Sequence, residues 1–275
     1  MASPCEILID TKDLSLATHL ATVASNEAWR IEDSYSRYLK NNQIHRINNA
    51  GGSMVSVDSE LALLLNFADT CWNLSDGTFD ITSGVLRRAW RFDGSDQIPV
   101  QSELEQLLPL VGWNKVLWDG ENITIPANME IDLGGLGKEF AVDRAAKLIN
   151  AISDVPVLIN YGGDLRANKA PTAEDSWQVG IENYAHSDTS AIIELASGSL
   201  ATSGDARRYL LKDGVRYGHI LDPRTGWPVP NAAKSITVAR NQCIEAGMLA
   251  TLSLLKGSGA EDFLSQQHCK HWIMR

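Results

Sequence analysis

The 275-residue chain has no surplus of positive charge: 24 Lys and Arg stand against 34 Asp and Glu, a formal net charge of −10. Non-specific nucleic-acid binding depends on Lys and Arg neutralising phosphates, so that class is excluded. A small anionic ligand is not excluded, because it needs only a local cluster of donors. Cysteine is scarce as well. Cys5, Cys71, Cys243 and Cys269 stand at wide, unequal spacings with no C-x-x-C pair and no zinc-ligand pattern, which predicts four reduced, mostly buried thiols. No stretch approaches the ~18 apolar residues of a membrane helix. No basic segment followed by an apolar run opens the chain, so a cytoplasmic protein without a membrane span is expected from the chain as given. There is no internal repeat and no linker rich in Pro, Gly or Ser. One compact unit over residues 1–275 is therefore expected, long enough to bury a core without disulfide or metal staples.

What is present reads as helices first and strands later. Glu6–Asp10 is a short apolar strand, and Leu14–Tyr38 has helical spacing with Leu14, Ala17, Leu20, Ala21, Val23 and Trp29 on one face. The polar stretch Asn41–Ser53 breaks it, a Leu-rich helix covers Ser59–Trp72, and shorter helices are expected near Val85–Trp90 and Glu103–Leu108. Asp119-Gly120 joins Val116–Trp118 to Asn122–Ile125 as a tight hairpin. A helix runs from the glycines after Leu133 to Ile149. Beyond it, strands are expected at Val155–Asn160, Trp177–Glu182, Ala191–Leu195, Ser199–Ser203, Arg207–Leu211, Tyr217–Ile220 and Ser235–Ala239, and a helix at Glu245–Lys256. This order predicts an α+β fold rather than an alternating parallel one.

Three glycine-centred segments could carry chemistry. In Ile131-Asp132-Leu133-Gly134-Gly135-Leu136-Gly137-Lys138-Glu139 a strand stops at paired glycines and a helix opens with a lysine in its first turn. Backbone N–H groups can approach an anion there, the helix N-terminus favours negative charge, and the lysine can reach a phosphate; a plain tight turn is an equal reading. Asn160-Tyr161-Gly162-Gly163-Asp164 is by itself a hairpin turn. Ala201-Thr202-Ser203-Gly204-Asp205 precedes His219-Ile220-Leu221-Asp222-Pro223-Arg224-Thr225-Gly226. His219 ends a strand before a turn-forming run, where it could move a proton near neutral pH or simply bond a loop carbonyl.

Taken in order, these segments resemble the FAD:protein FMN transferase family, the ApbE-like flavin transferases. Ser36-Arg37-Tyr38 with Arg46-Ile47-Asn48 is similar to S-R-y…s-r-l-N, and Ser75-Asp76-Gly77-Thr78-Phe79-Asp80 to t-D-G-a-F-D. Asp132-Leu133-Gly134-Gly135-x-x-Lys138 matches D-L-G-G-x-x-K, Ala141-Val142-Asp143 matches A-V-D, and Asn160-x-Gly162-Gly163-Asp164 matches N-x-G-G-D. Thr202-Ser203-Gly204 and His219-x-x-Asp222-Pro223-x-Thr225-Gly226 complete the set. The resemblance implies an α+β fold of the T-fold-like type in a single domain. It also implies FAD bound within that domain, a Mg²⁺ ion on the pyrophosphate, and transfer of FMN to a Ser or Thr hydroxyl of an acceptor protein with release of AMP. By the same resemblance His219 is the base, Gly134, Gly135 and Lys138 approach the pyrophosphate, and Thr202, Ser203 and Asp222 line the flavin side. Asp76, Asn160, Gly162, Gly163, Gly204 and Thr225 fall in the same pocket, and Gly137 (through its carbonyl) and Thr251 serve the metal. Relatives are often exported, and some hydrolyse FAD to FMN and AMP.

The family pattern breaks in four places. Its A-D-A-x-x-T segment is Ala246-Gly247-Met248-Leu249-Ala250-Thr251 here, so the metal-binding Asp is Gly247. Mg²⁺ generally uses at least one carboxylate. Glu245 lies two residues earlier, but on a helix that offset turns the side chain by roughly 200°, which disfavours a substitution. Gly137 replaces the usual Ala, Glu139 replaces a usual Gly, and Met1-Ala2-Ser3-Pro4 stands where the family opens with M-G-T. The alternatives to a transferase are therefore an FAD-binding protein without metal chemistry and an FAD pyrophosphatase. Trp72, Trp90 and Trp118 read as core, and His268, Lys270 and His271 as a frayed or edge-strand surface cluster rather than a metal site.

Overall fold

The computed structural model describes residues 3–183, 188–205 and 208–275. In chain order the elements begin with β1 (Cys5–Ile9), α1 (Leu14–Tyr35), α2 (Gln43–Asn48), β2 (Val55–Ser56) and α3 (Ser59–Leu74). A 3-10 helix (Ile81–Arg88), α4 (Gln101–Leu107), β3 (Leu117–Trp118), β4 (Asn122–Thr124) and α5 (Gly137–Ile152) follow. The strand-rich part comprises β5 (Val157–Tyr161), β6 (Asp164–Ala167), β7 (Trp177–Asn183), β8 (Asp188–Leu195), β9 (Gly198–Gly204), β10 (Tyr209–Lys212), β11 (Val215–Gly218) and β12 (Ser235–Arg240). The chain then forms α6 (Cys243–Leu255), α7 (Ala260–Gln266) and β13 (His271–Met274). The class is α+β, as the order of elements predicts.

Six strands form one sheet in the order β1-β5-β6-β9-β12-β13, and every neighbouring pair is antiparallel. Along β5 the side chains alternate: Val157, Ile159 and Tyr161 enter the main core with the helices, whereas Leu158 joins Leu165, Ile181, Ile193 and Leu200 on the opposite face, under the β7–β8 ribbon. α5 and α6 pack side by side on the helical face, and α1 packs over α5. Tyr161 ties the layers together by donating from its hydroxyl to the Ala24 carbonyl at 2.9 Å. A separate aromatic cluster of Trp90, Tyr217 and Trp227, with Leu104 and Leu210 buried among them, joins the 3-10 helix and α4 to the β10–β11 hairpin.

Several elements differ from the sequence expectation for identifiable reasons. α1 ends at Tyr35 rather than Tyr38, because Ser36 turns extended and its carbonyl accepts from Asn42 Nδ2 at 2.7 Å. Its buried stripe is Leu20, Ala24, Ala28, Ile31 and Tyr35, a 4-4-3-4 spacing, which leaves Leu14 at 79% and Trp29 at 62% exposure. The helix expected near Val85–Trp90 is the 3-10 helix that Asp80 caps through the Thr82 N–H. α2 arises inside the polar stretch expected to be loop, started by Asn42 accepting from His45 N. Strands β2, β6 and β13 and helix α7 are not expected from the sequence, and no strand forms at 131–133, where one is expected to stop at the paired glycines. Of the thiols, Cys71 and Cys243 are buried, Cys269 is half-buried and Cys5 is exposed, all free, so two rather than most are buried. Arg207, first residue of an expected strand, lies outside the described residues, as do Met1 and Ala2.

Candidate active site

The motif segments, scattered along the chain, meet because polar side chains sew them together. Arg37 pairs with Asp132 at 2.7 Å. Asn48 bonds both ways to Ile131, donating to its carbonyl at 3.0 Å and accepting from its N–H at 2.8 Å. The early segment thereby holds the chain just before the paired glycines. Asp132 in turn accepts from Gly134 N at 3.0 Å. Phe79 brings the Ser75–Asp80 segment against Gly135, while Asp76 itself is exposed on a turn with φ 52°.

α5 opens directly after these glycines. Helices α1, α2 and α3 have a side-chain oxygen at the N-cap (Asp13, Asn42 and Asp58), whereas the N-cap of α5 is Leu136, which offers no side-chain cap. Its first-turn amides carry the positive end of the helix dipole toward this face. The β5–β6 hairpin turns on Gly162 and Gly163 at φ 64° and 98°, both positive as a two-residue primed turn requires. Asn160 shapes that turn by accepting from Gly163 N at 2.9 Å. Ser3 lies over it, so close that any side chain at Gly162 would strike the Ser3 hydroxyl. The hydroxyl of the chain's own opening segment thus borders the site although the family's M-G-T is absent.

Lys138 does not extend freely: its Nζ pairs with Asp164 at 2.7 Å and donates to the Gly162 carbonyl at 3.4 Å. Burial is the largest influence and disfavours the lysine's charge, but the charges of Asp164 and Glu139 with the Asp164 hydrogen bond together raise Lys138 above its ordinary value. Asp164 is 1% exposed; burial raises its carboxyl, and Lys138 and the Thr202 N–H (3.2 Å) oppose that. On β9, Thr202 shares a hydrogen bond with Thr237 at 2.8 Å, and Ser203 shares one with Thr251 of α6 at 2.7 Å. A Cβ on Gly204 would lie 2.4 Å from the Lys234 carbonyl oxygen and 2.8 Å from Ser235 Cα. Gly204→Ala must therefore push β9 off β12. We expect it to lower stability by about 1–3 kcal/mol, measured by denaturant titration; an unchanged midpoint would show that the strands yield freely.

Asp205 follows Gly204 and pairs with Arg216 at 3.0 Å. Beyond β11, His219 donates from Nδ1 to the Arg208 carbonyl at 3.1 Å. A carbonyl only accepts, so a neutral ring must carry its proton on Nδ1 and keep the Nε2 lone pair free. Burial and then the Arg208 charge press His219 down to about 4, so its imidazole is neutral at pH 7. Phe92 meets the ring edge-on at 6.2 Å. Asp222 and Thr225 are committed to their own turn. The Asp222 carboxylate binds Arg224 at 2.6 Å, and Thr225 Oγ1 accepts from Trp227 N at 3.2 Å. Trp90 Nε1 fastens that turn by donating to the Gly226 carbonyl at 2.7 Å.

The remaining predicted positions lie where α5 meets α6. Asp143 of α5 accepts from Cys243 N and Ile244 N, each at 3.0 Å, capping α6 from outside, and also takes Arg166. Gly247 and Thr251 stand one turn apart on α6. Facing Gly247 is Glu139, buried to 7% exposure, whose Oε2 has no hydrogen-bond partner. Burial first, then the charge of Asp164, raises its carboxyl well above the ordinary range. Gly137 borders open space. Sequence reading treats Glu139 and Gly247 as unrelated departures; that one gains a carboxylate and the other loses one was the signal that they belong together. Among the described residues no three or more His, Cys, Asp or Glu side chains gather as a metal site, the C-terminal histidines included. Sequence reading also passes over Asp143 and Asp164 as site residues, although both stand inside the Ala141-Val142-Asp143 and Asn160–Asp164 segments.

The chain as a whole is similar to known proteins in sequence and in fold. The sequence profile of the ApbE family matches residues 1–273. An FAD:protein FMN transferase of Vibrio cholerae is 29% identical over 235 residues, 82% of this chain and 70% of the relative. One of Klebsiella pneumoniae is 28% identical over 270 residues, 95% of this chain and 81% of the relative. The crystal structure of the ApbE protein of Thermotoga maritima superposes with a TM-score of 0.89 at 29% identity, covering 98% of this chain and 90% of that one.

Proposed function

The chain belongs to the ApbE family, and from that premise we propose that it is an FAD:protein FMN transferase, moving FMN from FAD to a Ser or Thr hydroxyl of an acceptor protein and releasing AMP. The observation that carries this reading is the family match across residues 1–273, joined by relatives that bear that activity as their name. Residues 1–275 act as one unit in this reading.

The chemistry is displacement at phosphorus. The acceptor hydroxyl oxygen bonds to the phosphorus of the FMN half, the bond from that phosphorus to the oxygen bridging to AMP breaks, and AMP leaves with its electrons. The hydroxyl proton goes to Nε2 of His219 and is then available to the departing phosphate. Support for His219 in this role is its tautomer: Nδ1 is tied to the Arg208 carbonyl, and the ring is neutral at pH 7. The Gly135 amide and the first-turn amides of α5 beyond Gly137, at a helix start without a side-chain cap, fit the pyrophosphate, with the Gly134 amide held by Asp132 beside them. Lys138, held by Asp164, sets a positive charge beside it. In this proposal Thr202, Ser203 and Gly204 would line the flavin side, and the Gly162–Gly163 turn, Asn160, Asp76, Asp222 and Thr225 would complete the pocket.

Mg²⁺ is part of this proposal. A buried carboxyl oxygen without a partner, that of Glu139 on α5 where it faces Gly247, one turn before Thr251 on α6, fits a hard cation. Thr251 and the Gly137 carbonyl would hold it, and it would neutralise phosphate charge. The depressed His219 value has a kinetic consequence. The ring stays neutral as pH falls from 8 to 6 and protonates only near pH 4. At saturating Mg²⁺, kcat/KM for FAD is therefore expected to keep more than half of its pH 7.5 value at pH 6. A histidine at its ordinary value of roughly 6.5 would lose most of it there, and a pH profile with that shape would contradict the assignment. Among the described residues no helix is long and apolar enough to cross a membrane.

A further inference from the structure

Glu139 and Gly247 occupy one space. A Cβ on Gly247 would lie 2.6 Å from Glu139 Cγ, 2.8 Å from Oε1 and 3.0 Å from Cδ. Real side chains do not approach so closely, so the Glu139 carboxyl fills the volume that a side chain at position 247 would need. The two residues come from different helices, α5 and α6, which pack against each other and are pinned by Asp143 at the start of α6.

A buried carboxyl is costly unless something partners it. Lys138, its neighbour in sequence, is turned to Asp164 instead. Glu139 Oε2 is left buried and unpartnered. Glu139 faces Gly247, and the oxygens of a hard-cation site lie close along the same two helices: Thr251 one turn beyond Gly247, its hydroxyl on Ser203, and the Gly137 carbonyl two residues before Glu139 at the first turn of α5. Mg²⁺ and Mn²⁺ select oxygen donors of this kind.

We propose that Glu139 is the metal-ligating carboxylate of this chain: α5 delivers across the helix contact the oxygen that Gly247 of α6 cannot. This rests on the transferase reading for the presence of a metal, and it turns two departures from the family pattern into one exchange of a carboxylate between facing helices. It also predicts which substitutions are compatible. Asp at 247 requires Glu139 to leave its present position, because both cannot occupy the volume.

The test is Mn²⁺ binding to the full chain in the presence of FAD and without acceptor, followed by loss of the free-ion electron paramagnetic resonance signal. FAD fluorescence quenching and a thermal melt establish that each variant is folded and loaded. Glu139→Gln keeps the shape and removes the charge; it is expected to weaken Mn²⁺ by about tenfold or more. The double exchange Glu139→Gly with Gly247→Asp is expected to bring affinity back to within about threefold of the unaltered chain, a recovery of most of that loss. Glu139→Gln binding Mn²⁺ like the unaltered chain would overturn the assignment, as would an unaltered chain that binds none. A folded, FAD-loaded exchange variant as weak as Glu139→Gln would overturn it too. If the exchange variant does not fold, Glu139→Gln decides alone. Failure here is separable from failure of the transferase reading. Covalent flavin on an acceptor with no Glu139-dependent Mn²⁺ site sinks only the carboxylate assignment, and a Glu139-dependent site without flavin transfer sinks only the activity.

Discussion

Replacing His219 with asparagine is expected to slow FMN transfer by ~10²–10⁴-fold while leaving FAD affinity within a few-fold. The size follows from what the ring does. Its Nδ1–H is fixed on the Arg208 carbonyl and its other nitrogen is the free base, and Asn offers no group that takes a proton near pH 7. The loss should fall on kcat, because His219 is assigned to a proton that moves only during reaction, and binding is assigned to the α5 amides and the β9 wall. Single-turnover transfer with pre-bound FAD measures this directly. A variant within tenfold of the unaltered chain would remove His219 from the chemistry and leave it as the residue that fastens the segment after β11 to Arg208.

Asp80→Ala is expected to cost stability rather than chemistry, on the order of 3–5 kcal/mol. Asp80 is 8% exposed and accepts from four donors. Thr82 N and Thr82 Oγ1 reach it at 2.8 and 2.6 Å, Trp72 Nε1 at 3.2 Å and Trp113 N at 2.8 Å. Alanine would strand all four in a site that admits little water, and each unsatisfied buried group costs about 1–3 kcal/mol before relaxation. The melting temperature should fall by about 10 °C for a chain of this size, and Asp80→Asn, which keeps one carbonyl oxygen for Thr82, should recover part of that. A melt unchanged within a degree or two would mean the segment is held by Phe79 and Ile81 packing alone.

The two residues also mark how far the sequence could be read. Asp80 stands in a quoted motif as a pattern match, yet its work is structural: it caps the 3-10 helix and ties it to Trp113. The same is true of Asn160, Gly163 and Asp222, whose hydrogen bonds close turns. Motif positions were legible; the division between residues that shape the pocket and residues that face it was not, because a turn and a ligand site use the same side chains.

Element types were legible where periodicity runs long, as in α1, α3, α5 and α6, and poorly legible where an element is short. Only Gly162 and Gly163 separate β6 from β5, so its four residues read as the tail of a turn. α2 is six polar-flanked residues started by a single Asn42 bond. The facing of Glu139 and Gly247 was out of reach of any local pattern, since it depends on how α5 and α6 cross on the sheet. That contact changes the meaning of the missing Asp: a site that looks stripped of its carboxylate in one helix is supplied with one from the next.

The most direct test of the account is to incubate the full chain with FAD, Mg²⁺ and an acceptor protein carrying a flavinylation-type threonine, and to follow AMP alongside flavin covalently bound to the acceptor. The account predicts AMP and flavinylated acceptor in equal amounts, both dependent on the divalent ion. AMP with free FMN and no modified acceptor would make the chain a pyrophosphatase, and tightly bound FAD with no AMP under any divalent ion would contradict the enzyme altogether.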